Sequence, residues 1–174
     1  VEDLLKGIKD LAPIYFVTGN HELTSLAATQ YQELLALFQK YGVTDLDNDS
    51  VKLKKGGQSI TLYGRQYFSQ YLTDSLPIAS DKDFDILLYH GSDNFKEIAP
   101  YHYDLILSGH AHGGIVRLPI WGGIFGNDGT FFPEYAGGEY TIGDATLISS
   151  RGLGDASIPR FNNPPELVVI KLNP

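Results

Sequence analysis

Two histidines stand one residue apart in a short stretch of small residues, Ser108-Gly109-His110-Ala111-His112-Gly113-Gly114. Imidazole is the commonest metal-binding side chain near neutral pH, and glycine allows a ligand to approach the backbone closely. The apolar run before them, Asp104-Leu105-Ile106-Leu107, is typical of a buried strand in a parallel sheet. Both histidines are therefore expected on the loop at a strand's carboxyl end, where open α/β sheets bind ligands.

Two further polar turns follow apolar runs in the same way. Ile14-Tyr15-Phe16-Val17 leads into Thr18-Gly19-Asn20-His21-Glu22, and Phe84–Tyr89 leads into His90-Gly91. The first turn could also be a plain helix start, because Asn and Thr cap helices well. Packing alone explains four histidines at one sheet edge poorly, and a divalent metal is the usual shared partner of converging imidazoles.

This pattern makes a geometric prediction. We expect the strands before Asn20, His90 and His110 to lie side by side, with the ligating atoms roughly 4 Å or less apart. The fifth histidine, His102, precedes a strand and is interpreted as a structural or surface residue. A Ser-His-Asp hydrolase is the competing enzyme class, but the chain has no Gly-x-Ser-x-Gly turn for the nucleophile.

Composition narrows the classes of function. The 174 residues carry 13 Lys and Arg against 21 Asp and Glu, a net charge of −8, so we expect no nucleic-acid partner. The absence of cysteine excludes thiolate metal sites, disulfides and a cysteine nucleophile. No run of about 18 apolar residues is present to span a membrane.

The remaining patterns predict an α/β domain. Apolar periodicity favours helices over residues 1–11, 25–41 and 94–99. Alternation predicts one hairpin from Val51–Lys54 and Ser59–Tyr63, and a second from Glu139–Ile142 and Ala145–Ser149. Ile115–Leu118 and the closing segment Glu166–Leu172 are predicted as further strands.

Pro119–Pro133 is predicted as a long loop that is unusually aromatic, with Trp121 and Phe125 among its glycines. Long apolar loops commonly have a function or cover something. The aromatic side chains could pack on the core. Alternatively, Trp121 and Phe125 form an apolar lip that meets a lipid chain or a membrane surface.

Gly19-Asn20-His21-Glu22, His90 after its strand, and Gly109-His110-Ala111-His112 resemble the last three motifs of the calcineurin-like metallophosphoesterases. The order and spacing agree with that family. Three downstream segments resemble one bacterial subgroup, which is often membrane-anchored or cell-wall-associated and acts on phosphodiesters or lipid-linked substrates. These segments are Arg117-Leu118-Pro119, Ser150-Arg151-Gly152-Leu153-Gly154 and Pro164-Pro165-Glu166.

The resemblance implies a role for each candidate residue. Asn20, His90 and His110 would bind one metal, and His112 would bind the other. His21 would be catalytic, protonating or stabilising the leaving oxygen. The implied reaction is hydrolysis of a phosphodiester or lipid-linked pyrophosphate by a hydroxide that bridges two divalent metals, with Mn, Fe or Zn as candidates.

The family's earlier motifs, Asp-x-His and Gly-Asp-x-x-Asp, do not occur in these residues. The resemblance therefore implies that residues 1–174 are the carboxyl-terminal part of a single catalytic domain, a helix-flanked β-sandwich truncated at its amino terminus. Such a piece is expected to be inactive alone. Its unpaired sheet edge and bare apolar surface predict that it self-associates or pairs with another chain. The implied location is a membrane or cell wall, reached through an upstream segment, with a cytoplasmic one left open.

Three alternatives stay open at this point. The same site could hydrolyse another ester bond with the help of a metal. The chain could be a binding module without catalysis, which the missing ligands favour. It could also be a purely structural fragment.

Overall fold

The computed structural model describes residues 1–67, 76–80, 83–126, 129–154 and 159–173. Helices and strands are interspersed along the chain, and no helix in these ranges is long and apolar enough to cross a membrane. The elements are α1 (Glu2–Ile8), β1 (Ile14–Phe16), α2 (Asn20–Thr24), α3 (Ala28–Tyr41), β2 (Val43–Asp45), β3 (Ser50–Lys55), β4 (Gln58–Arg65), β5 (Phe84–Gly91), α4 (Phe95–Ile98), β6 (Leu105–Gly109), β7 (Val116–Leu118), β8 (Gly122–Phe125), β9 (Gly138–Ile142) and β10 (Ala145–Ser149).

A six-stranded sheet in the order β3-β4-β5-β6-β10-β9 forms the centre of the molecule. Its four inner strands are parallel, and each outer strand is the antiparallel partner in one of the two predicted hairpins. Two small sheets, parallel β1-β2 and antiparallel β7-β8, accompany it. The expected α/β fold with flanking helices is confirmed, and it is built on a central multi-stranded sheet.

Both faces of the central sheet are covered, because alternate side chains of the inner strands enter different cores. Leu87 and Ile106 belong to one apolar cluster, together with Phe95 of α4. Their neighbours Ile86 and Leu105 belong to the other cluster. This two-sided burial explains why the inner strands read as continuous apolar runs.

The β1-β2 sheet forms a second layer on one face of the central sheet. Tyr15 and Val17 pack against the core cluster that contains Leu46. The ring of Phe16 contacts that of Phe38 in α3, at 4.5 Å between ring centroids. This packing fixes the start of α2, and with it the Gly19–Glu22 turn, against the central sheet.

Several predicted boundaries are wrong. The first helix is shorter than residues 1–11, and the helix predicted from residue 25 begins at Ala28. The loop predicted over Pro119–Pro133 contains β8. Glu166–Leu172 forms no strand. Its apolar residues are largely exposed, Val169 at 86%, so this segment has strand-forming residues without a partner strand among those described.

Candidate metal centre

His90 and His110 are brought together by the register of two neighbouring parallel strands. His90 is the penultimate residue of β5, and His110 directly follows β6. Gly91 of β5 pairs with Gly109 of β6, so the two imidazoles lie at the same level of the sheet. Nδ1 of His110 is 3.3 Å from Nε2 of His90.

Asn20 reaches the same place from a different sheet. Its Oδ1 is 3.0 Å from Nε2 of His90, although β1 pairs with β2 and not with the central sheet. The expectation of three adjacent strands is therefore wrong for Asn20. The layer packing described above, and not strand pairing, places its amide beside His90.

The turn that carries Asn20 is fixed by two carboxylates. Thr18 donates its backbone N–H and its hydroxyl to Asp47, at 2.9 and 2.6 Å. The N–H of Gly19 donates to Glu22 at 2.8 Å. A Cβ at Gly19 would lie 3.0 Å from the ring of His90, so glycine permits this close approach.

His112 lies on the same loop as His110 but has different neighbours. Its Nδ1 is 3.2 Å from Nη2 of Arg160, and its carbonyl oxygen accepts from Nδ2 of Asn163 at 2.6 Å. His21, in the first turn of α2, has an exposed side chain.

The environment favours the neutral form of two half-buried imidazoles, those of His90 and His112. Burial lowers the pKa of His90 to about 4, and repulsion from His110, His112 and His21 adds to this effect. The pKa of His112 is also lowered, by burial first and then by the charge of Arg160. Since metals bind deprotonated imidazole nitrogen, both side chains are in the ligating form near neutral pH.

The donor set fits a first-row divalent metal. Neighbouring donor atoms 3.0 and 3.3 Å apart match the spacing around one cation with ligand bonds of about 2.1 Å. Imidazole suits Mn, Fe and Zn sites, and an amide oxygen adds a neutral hard donor. Within the described ranges, however, no group of three or more His, Cys, Asp or Glu could hold a metal. The set therefore consists of two histidines and an asparagine, with no carboxylate.

The profile of the calcineurin-like phosphoesterase family matches residues 1–114. The chain belongs to that family. It is 28% identical over 166 residues to YpbG of Bacillus subtilis, covering 92% of this chain and 58% of YpbG. It is 25% identical over 171 residues to the phosphodiesterase YaeI of Escherichia coli, covering 98% of this chain and 62% of YaeI. The chain thus spans about three fifths of these two relatives.

A further relative matches over a shorter stretch. It is the UDP-2,3-diacylglucosamine pyrophosphatase LpxG of Chlamydia trachomatis, 33% identical over 94 residues, which is 49% of this chain and 28% of LpxG. Among solved structures, the sulfate thiohydrolase SoxB of Thermus thermophilus matches with a TM-score of 0.50 and 18% identity. That match covers 85% of this chain and 29% of SoxB, and it supports the fold alone.

Three residues near the site were not predicted as part of it. The ring of Tyr67 contacts both imidazoles, edge-on to His90 at 5.4 Å and tilted against His110 at 5.2 Å between ring centroids. Asp47 contacts Thr18, and Arg160 contacts His112. Along the chain, Asp47 is 29 residues from Thr18 and Arg160 is 48 residues from His112. No local sequence pattern could therefore reveal these two contacts.

A cleft of about 310 Å³ opens beside His110. Its far wall includes Phe131 and Phe132, which are 70% and 55% exposed. Trp121, 68% exposed, lies 6.4 Å from Phe132 between ring centroids. Phe125 is half-buried and contacts Phe131. An apolar rim of exposed aromatic rings thus borders the cleft.

Proposed function

We propose that this protein is a metal-dependent phosphoesterase in which Asn20, His90 and His110 hold one divalent cation and His112 contributes to a second. The observation that carries the proposal is the position of His90 Nε2, which lies 3.0 Å from Asn20 Oδ1 and 3.3 Å from His110 Nδ1. When bound, such cations polarise the phosphoryl group and lower the pKa of a coordinated water. Membership of the calcineurin-like phosphoesterase family supports the same reaction class.

The chain's own residues supply orientation and proton transfer. His21 has an exposed imidazole on the turn that carries Asn20, and its charge influences both His90 and His112. A histidine so placed is suited to donate a proton to the departing oxygen of a phosphoester. Tyr67 and the Thr18–Asp47 contacts keep the two histidines and the Asn20 turn in position.

We further propose that residues 1–174 require an upstream carboxylate-bearing segment for turnover. A donor set without a carboxylate leaves the repulsion between two adjacent cations uncompensated. In this proposal Asn20, His90 and His110 would supply three neutral donors to one metal, and His112 would supply a single donor to the other. In this proposal the chain is the carboxyl-terminal part of one catalytic domain.

Hydrolysis of bis(p-nitrophenyl) phosphate with Mn²⁺ tests the proposal in a longer chain that carries the two upstream motifs. We expect turnover by that chain, loss of turnover in its His112→Ala variant, and essentially none by residues 1–174. Lys54→Gln, a surface change on β3, is the matched control and should retain full activity. Comparable turnover by residues 1–174 would show that the ligand assignment is wrong.

The exposed aromatic rim suggests that the substrate carries an apolar group. LpxG, a relative, is named for action on a diacylated sugar nucleotide. We propose that Trp121 and Phe125 contact a lipid chain of a lipid-linked phosphoester, at a membrane or cell-wall surface.

Replacement of Trp121 and Phe125 by serine in the longer chain tests the lipid contact. Activity on a lipid-linked phosphoester should fall at least tenfold, while activity on bis(p-nitrophenyl) phosphate stays within twofold. Ile78→Ser, at a site that is 70% exposed and away from the cleft, is the control. Equal losses on both substrates would contradict the lipid role.

A further inference from the structure

Arg160 brings a guanidinium group to the edge of the metal centre. Its Nη2 lies 3.2 Å from Nδ1 of His112 and also donates to the carbonyl oxygen of Gly154. Its Nη1 donates to the carbonyl oxygen of Gly152 at 3.4 Å. The guanidinium is therefore held by the backbone of the loop after β10, with one face toward the histidine loop.

One N–H donor of this guanidinium lacks a hydrogen-bond acceptor among the described residues. Nε of Arg160 is buried and has no hydrogen-bond partner within the part of the chain that the structure describes. Leaving a buried donor on a charged group unpaired costs free energy, because that donor has lost its water. Among the described residues, the hydrogen-bonding capacity of this guanidinium is therefore not used up.

The positive charge of Arg160 is also uncompensated. All three acceptors that it meets are neutral, and none of the described carboxylates forms an ion pair with it. The nearby Arg151 shows the contrast, since it pairs with Glu166 at 2.8 Å. In a chain of net charge −8, a half-buried arginine that contacts the imidazole of His112 and pairs with no described carboxylate indicates a site for an anion.

We propose that Arg160 binds a non-bridging phosphoryl oxygen of the substrate and thereby selects phosphoesters over uncharged esters. This inference rests on the proposed function. Guanidinium groups bind phosphate oxygens through charge-assisted hydrogen bonds, and a neutral ester offers no such anionic acceptor. Arg160 thus determines specificity, while Asn20 and the histidines hold the metal.

The test compares Arg160→Gln and Arg160→Lys with wild type and with the control Lys54→Gln, all in the longer, Mn²⁺-loaded chain. Calorimetric titration with inorganic phosphate should show a Kd raised about 10- to 100-fold in Arg160→Gln, the effect expected for a lost hydrogen bond to a charged group. Arg160→Lys should recover part of that affinity, and Lys54→Gln should match wild type. Metal content by mass spectrometry should be unchanged in all four proteins.

Each other outcome has a distinct meaning. Unchanged phosphate affinity in Arg160→Gln overturns the inference and leaves the proposed function standing. Loss of metal with no specific change in phosphate affinity also overturns it, because Arg160 would then only hold His112 in place. If Arg160→Gln does not fold, an Arg160→Lys variant with wild-type affinity overturns it. Failure of the wild-type protein to bind phosphate and to hydrolyse any phosphoester would instead remove the proposed function itself.

Discussion

Both histidines of the His-x-His loop have left-handed backbone conformations, with φ of 66° at His110 and 49° at His112. This conformation destabilises a residue that has a Cβ by about 1–2 kcal/mol, whereas glycine adopts it without steric strain. The loop continues through Gly113 and Gly114, which have φ of 72° and 68°. A Cβ at Gly113 would lie 2.5 Å from Oδ1 of Asn163, so this close contact also requires glycine.

The strain at His112 leads to a stability prediction. His112→Gly should be more stable than His112→Ala by about 0.5–1 kcal/mol. Glycine removes the steric strain of the left-handed conformation, and the larger conformational entropy of glycine in the unfolded chain cancels only part of that gain. Urea unfolding of both variants of residues 1–174 would measure the difference. An alanine variant as stable as the glycine variant would show that the loop relaxes out of this conformation.

The residue types of the candidate site could be predicted from sequence because they are adjacent along the chain to glycines and strand ends. Asn20, His90 and His110 were each identified in this way. Asp47, Tyr67 and Arg160 could not be, since they belong to the site only through packing between distant segments.

At the level of elements, the loop after β10 is secured by the segment that follows it. Glu166 accepts from the guanidinium of Arg151 at 2.8 Å and from its backbone N–H at 3.1 Å. The backbone N–H of Glu166 donates to the carbonyl oxygen of Gly152 at 3.0 Å, so Glu166 is both a donor and an acceptor toward this loop. The same loop supplies the carbonyl groups that hold Arg160.

The Arg151–Glu166 contact predicts a pH-dependent contribution to stability. Its hydrogen bonds and charge hold the pKa of Glu166 below the usual 4.5. Glu166→Gln should lower the free energy of unfolding by about 1 kcal/mol at pH 7, since the pair is partly exposed. A lowered folded-state pKa means that this stabilisation is present above pH 4.5 and is lost as pH falls through the folded value.

Urea unfolding at pH 7, 4.5 and 3 would check the Glu166 prediction, with Glu139→Gln on the exposed edge strand as the control. The wild-type advantage over Glu166→Gln should persist at neutral pH and shrink at pH 3. An advantage of equal size at all three values would mean that the carboxylate charge is not its source.

The two hairpins and the buried inner strands could be predicted from local sequence. Alternation of apolar and polar residues indicates a strand buried on one face, and a continuous apolar run indicates a strand buried on both. Glu166–Leu172 is a segment for which the local pattern predicts the wrong structure. Its pattern resembles that of a strand, yet Leu167 is 75% exposed and Val169 86% exposed. A strand needs a partner as well as propensity, and pairing is decided by the whole fold.

At the scale of the whole molecule, an apolar groove lies uncovered between two helices and a strand. A groove of about 500 Å³ runs between α1, β1 and α3. Leu4 on its border is 47% exposed and Val1 is 74% exposed. Contiguous apolar surface of this kind drives association in water.

We expect residues 1–174 to self-associate through this groove. Sedimentation velocity should show a weight-average mass that rises with protein concentration, and Leu4→Glu should reduce the rise by placing a charge in the contact. Ile78→Glu adds the same charge at a 70% exposed position outside the groove and should change nothing. A concentration-independent monomer would contradict the prediction.

The strand at one outer edge of the central sheet has a consequence for the kind of assembly that can form. β3 carries Lys52, Lys54 and Lys55, and like charges would face each other if a second copy extended the sheet there. Growth of a continuous β-fibre through that edge is therefore disfavoured. Association in which two copies use the same groove between α1, β1 and α3 would instead give a closed, two-fold symmetric pair that adds no further copies.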